Sequence, residues 1–135
     1  MFELNAQGAW RVGLALVLLG FGSGALLGLG FQRDEFLGGY TSWRRRLLRL
    51  GHIACIALGM LQMLCANSSA ASASGSLATA CWLCWRVGAI AMPLVCWSSA
   101  FVPRLRHLFA LPVISLASAA ALTLWLSMER GGTQL

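Results

Sequence analysis

Four stretches of mostly apolar residues, each about twenty long, alternate with short polar breaks along the chain. Bilayer crossing by a helix takes roughly 20 such residues. Hydrocarbon cannot satisfy bare backbone groups, so a chain that stays apolar this long must close its hydrogen bonds within each segment as a helix. The pattern predicts spans over about 9–31, 47–66, 80–101 and 105–128. The breaks differ in kind. Residues 32–46 carry Arg33, Asp34 and Glu35, then Gly38-Gly39, then Thr41-Ser42-Trp43 before Arg44-Arg45-Arg46. Thr41 or Ser42 is placed to cap a helix that runs on into the second span. Residues 67–79 are nearly all Ser, Ala and Gly, the composition of a flexible linker. Residues 103–106 read as a tight turn, making the third and fourth spans antiparallel neighbours.

Composition agrees with the pattern. Of 135 residues 59% are hydrophobic and 10% charged, against roughly 25% charged in a soluble domain. The expected fold is therefore all-α, a polytopic four-transmembrane-helix bundle forming one transmembrane domain over 1–135. The first apolar run is too long for the hydrophobic core of a secretory signal, and its Gly28-Leu29-Gly30 exit makes a poor cleavage site. It is read as a span.

The net charge of +6 comes entirely from arginine; lysine is absent, and Schiff-base or lysine-base chemistry with it. Because the arginines flank apolar runs, the partner they imply is the lipid bilayer and its headgroups, not nucleic acid. Seven of them (Arg33, Arg44, Arg45, Arg46, Arg49, Arg104, Arg106) fall on one side of a four-span layout and Arg11, Arg86 and Arg130 on the other. The positive-inside bias then puts both termini outside, with a bacterial inner membrane as the expected location.

Matching openings point to two duplicated helical hairpins. Trp10-Arg11-Val12-Gly13 opens the first span and Trp85-Arg86-Val87-Gly88 the third, while Arg49-Leu50-Gly51-His52 and Arg104-Leu105-Arg106-His107 open the second and fourth. Gly20, Gly24 and Gly28 make a flat stripe of small residues; Ser115, Ala119, Thr123 and Ser127 make another. Such stripes serve packing inside the bundle, or contact with other membrane subunits or a second copy. Pro93 and Pro112 each remove a backbone bond within a span.

Chemistry has few footholds. There is no phosphate loop, no carboxylate pair, no Ser-His-acid set and no second ligand pair for zinc, so no metal site is expected. His52, Cys55, Gly59 and Gln62 share one face of the second span. His52 and His107 should lie at similar depth, where a pair of histidines from parallel helices could clamp a b-type haem, or simply meet headgroups and loop carbonyls. Cys81-Trp82-Leu83-Cys84 is the sharpest local motif: two cysteines at this spacing can close a small disulfide, with Arg86 a candidate to favour the thiolate and Cys65 a third thiol on the same side. Cys55 and Cys96 read as packing residues.

The six residues Cys81-Trp82-Leu83-Cys84-Trp85-Arg86 resemble the thiol pair of the disulfide-forming quinone reductases of the bacterial membrane, and of the vitamin K epoxide reductases, both built on four helices. That resemblance implies a thiol pair passing electrons to a quinone, with Cys81 and Cys84 as the exchanging thiols. Those reductases carry a second outer cysteine pair, where this chain offers Cys65 alone. Three functions therefore stand side by side: a non-catalytic accessory or scaffold subunit, the leading expectation; a quinone-linked thiol oxidoreductase; and a haem-binding electron carrier.

Overall fold

A computed structural model describes residues 4–30 and 32–131 of the chain. It is all-α, with four long helices and no strand among the described residues: α1 (Ala6–Gly30), α2 (Trp43–Ala66), α3 (Ser76–Phe101) and α4 (Ala110–Gly131). Four segments are long and apolar enough to cross a membrane, the fourth including the 3₁₀ turn Pro103–Phe109 that leads into α4. This is the architecture of a membrane protein.

The helix limits shift from those expected, for local reasons. Helix α2 starts at Trp43 rather than near 47 because Ser42 caps it: its Oγ accepts from the Arg45 amide at 3.3 Å and donates to the Leu37 carbonyl at 2.6 Å. Gly75, at φ +103°, starts α3 at Ser76, ahead of the apolar run proper. Residues 103–106, expected as a tight turn, extend into 3₁₀ helix up to Phe109, so α4 begins five residues later than the hydropathy suggests. Pro112 thereby falls in the first turn of α4, where a missing amide proton matters least. Pro93 is buried about two-thirds of the way along α3, which continues through it. Phe31, the expected end of the first span, lies outside the described residues.

Each helix packs chiefly on its sequence neighbour: α1 on α2, α2 on α3, α3 on α4. Helix α3 is central and the most buried; α4 leans on α3 and the short turn Ser69–Ser72, with no substantial contact to α1 or α2. The glycines set this arrangement. Gly13 and Gly59 face one another across α1 and α2, where a Cβ on either would come within 2.6 Å of the other's carbonyl oxygen. Gly20 and Gly24 lie against Ile56 and His52 of α2, so two members of the first stripe are covered within the chain, while Gly28 faces open space. Gly88 lies on Leu116 of α4. The last residue of each Trp-Arg-Val-Gly segment, Gly13 and Gly88, thus seats the following helix in both hairpins.

Candidate functional site

The thiol motif sits within α3, not at its start. Cys81 and Cys84 are the sixth and ninth residues of that helix, one turn apart. All five cysteines are free thiols: Cys55, Cys81 and Cys96 are buried, Cys65 and Cys84 half-buried. Cys81, 4% exposed, belongs to a cluster with Ala9, Ala78, Trp82, Trp85, Ala119 and Leu126. Cys65, from the end of α2, and Cys84 both pack against that cluster. Three thiols from two helices therefore converge at the end of the bundle away from the arginine-rich loops.

Thr123 organises this end. Its Oγ1 donates to the Ala119 carbonyl at 2.8 Å. With its proton so placed, the same oxygen accepts from Trp85 Nε1 at 2.9 Å and lies 3.4 Å from Cys81 Sγ, which donates to it. The Ala119 carbonyl is a weaker second acceptor for that thiol, at 3.7 Å. A hydroxyl has one proton and two lone pairs, so Thr123 is fully used: a single side chain of α4 ties the indole and one thiol of α3. One turn deeper, Gln62 of α2 donates from Nε2 to the Trp85 carbonyl at 3.3 Å and is itself fully buried. Trp85 is thus held from both sides, by its ring and by its backbone.

Arg86 is 6% exposed and so packs inside the bundle, whereas Arg11, at the matching place in the first hairpin, is exposed. It is not aligned with the thiols. At about 100° per residue, Arg86 points roughly 140° round α3 from Cys81 and roughly 200° from Cys84.

The structure does not bring the two histidines together. His52 lies on α1: its ring covers Gly24 and Nδ1 is 2.7 Å from the Gly20 carbonyl. A carbonyl can only accept, so Nδ1 carries the proton and Nε2 is left as the basic nitrogen, the tautomer a ligating histidine would use. His107 is exposed on the 3₁₀ turn Pro103–Phe109, which packs on α3 and α4. Helix α3 stands between α2 and α4, so a haem clamped by the pair has no place in this arrangement. No group of three or more His, Cys, Asp or Glu side chains among the described residues is arranged to hold a metal ion.

The polar seam of α2 turns inward as its spacing implied, but it serves two neighbours. His52 and Gly59 face α1, Gln62 faces α3, and Cys55, fully buried, lies beside Gly20. Thr123 is the residue that the sequence did not single out. Its place in the Ser115-Ala119-Thr123-Ser127 stripe marked a packing face, and only the register of α4 on α3 makes it a hub. No protein-family model, no curated protein and no solved structure matches this chain.

Proposed function

We propose that this protein is a non-catalytic membrane subunit, an accessory or scaffold for a larger assembly in a bacterial inner membrane, with both termini outside. The observation that carries this reading is that three polar side chains at the helix contacts each join two helices: His52 to the Gly20 carbonyl, Gln62 to the Trp85 carbonyl, Thr123 to Trp85 and Cys81. Groups held this way rigidify a bundle and are not poised around a substrate. The open row of helices adds support, since α4 has one helical neighbour and leaves Leu111, Ile114, Leu124 and Met128 exposed. Cross-linking in intact membranes followed by purification in mild detergent is the test. Co-purifying membrane subunits are expected; a lone monomer with no cross-linked partner refutes the reading. Reporter fusions at Tyr40 and the C-terminus test the orientation, and a cytoplasmic C-terminus overturns it.

The convergence of Cys65, Cys81 and Cys84 favours one second reading, a thiol-disulfide oxidoreductase coupled to a membrane quinone. In it a Cys81–Cys84 disulfide forms by loss of two electrons and two protons to the quinone, and Cys65 exchanges with it. Trapping of thiols in intact cells separates the readings. A pair that stays reduced, or that ignores added quinone, removes the enzyme.

A further inference from the structure

Helices α1 and α3 approach each other where Val12 and Leu16 meet Ala89. Toward the arginine-rich loops a gap lies between them. The gap is an apolar groove of about 830 Å³, walled by Gly22 and Leu26 of α1 and by Trp97 and Phe101 of α3, with Leu48 of α2 as its floor. Its lining on α1 runs from Leu18 to Leu29. At 1.5 Å per residue that is a length of about 16 Å. The hydrocarbon core is about 30 Å thick, so the groove is one leaflet deep. A transmembrane helix would need the whole thickness; a lipid tail needs half.

A second, more polar pocket of about 320 Å³ adjoins the groove at its mouth, lined by Ser42, Trp43, Arg44, Ala100 and Pro103. Arg44 and Leu48 are four residues apart on α2 and therefore share a face, so the pocket follows the groove within one helical turn. Trp97 of the groove and Ala100 of the pocket, three residues apart on α3, share a face in the same way on the other wall. Arg45 and Arg49 point elsewhere, over the Tyr40 ring at 5.4 and 5.0 Å. The field at this end is strongly positive: seven arginines stand in the two connecting segments and at the start of α2, against Asp34 and Glu35.

We propose that the groove and the Arg44 pocket together bind one anionic phospholipid, its acyl chain between α1 and α3 and its phosphate on Arg44. Basic pockets between helices at a charged membrane face hold anionic headgroups for this reason. The tail length matches one leaflet, the wall is apolar, and the charge sits where a headgroup would emerge. The site is independent of any thiol chemistry and of any docked subunit.

Two glycines make the test clean. A Cβ on Gly22 or on Gly28 meets nothing within 4 Å, so a larger side chain starts into open space at both. Only Gly22 lines the groove. The purified chain is exposed to mixed micelles with equal phosphatidylglycerol and phosphatidylcholine, and retained lipid is read by native mass spectrometry. One phosphatidylglycerol is expected in preference. Arg44→Gln lowers its retention about fivefold and leaves phosphatidylcholine unchanged. Gly22→Leu lowers retention of both lipids, and Gly28→Leu lowers neither. Equal retention of the two lipids by the wild type, a full effect of Gly28→Leu, or a lipid-free dimer closed over the groove overturns the proposal.

Discussion

Replacing Thr123 with valine keeps the shape of the side chain and removes one oxygen. That oxygen is the acceptor for Trp85 Nε1 at 2.9 Å and lies 3.4 Å from Cys81 Sγ. Its own bond, to the Ala119 carbonyl, is local to α4 and joins no helices. Two donors of α3 therefore lose this acceptor at a buried contact, where Trp85 is 6% exposed and the Cys81 thiol keeps the more distant Ala119 carbonyl at 3.7 Å. An interhelical hydrogen bond in a membrane protein contributes about 0.6 kcal/mol on average and about 1.7 at most. A buried donor left unsatisfied costs about 1–3 kcal/mol. The indole bond is short and direct and the thiol bond weak, so Thr123→Val should destabilise the protein by about 1–2 kcal/mol. Trp85→Phe removes the same bond from the other side but also loses ring area, so the single variants alone do not isolate it. The double-mutant cycle does. Reversible unfolding by sodium dodecyl sulfate in mixed micelles, followed by helical circular dichroism, gives the four stabilities. A coupling of about 0.6–1.7 kcal/mol is expected. Additivity within about 0.3–0.5 kcal/mol, as for independent sites, would refute the hub.

Three further outcomes follow from the same contacts. Gly59→Ala pushes a methyl onto the Gly13 carbonyl and should cost about 1–3 kcal/mol, whereas Gly28→Ala, which meets nothing, should be neutral or stabilising by up to about 1 kcal/mol; equal effects in the unfolding titration would show that α1 does not seat on α2 as described. In native micelles a maleimide should label Cys65 and Cys84 well before Cys55 and Cys96, which are fully buried; mass spectrometry of the digested protein gives the order, and early labelling of Cys55 would contradict the packing. Haem added to the purified protein should give no Soret band that depends on both His52 and His107, since α3 separates their helices; a band lost in each single alanine variant would show that the two meet.

The helices were legible because length and hydropathy alone decide what can cross hydrocarbon. The seam of α2 was legible for a related reason: a polar side chain in a span turns away from lipid. Their ends were less so. Three consecutive arginines hide the start of α2, yet helix propensity for arginine is high and Ser42 supplies the cap. The delayed start of α4 follows Pro103 and a 3₁₀ turn that periodicity does not distinguish from α-helix at this length. The role of Thr123 was illegible because it depends on the axial register of α4 against α3, which no pattern within one helix encodes. Arg86 shows the same limit: spacing places it close to the thiols along the chain, but a helix turns neighbours in sequence to different sides.

The neighbour-on-neighbour order of the helices has a bearing on how the protein is made. Nearly every contact between spans joins segments that leave the ribosome one after the other. The α1–α2 hairpin can pack before α3 exists, and α3 then docks on a finished surface with α4 following. Little needs to be held open for a late partner, which keeps loop-closure costs low and folding local. The same order makes residues 67–75 the joint between the two hairpins. Co-expressed as two fragments, the hairpins would find each other chiefly through the α2–α3 face, with a smaller α1–α3 contact at Val12, Leu16 and Ala89, guided by Gln62 against Trp85. Biogenesis would then be stepwise, each hairpin a unit of insertion in its own right.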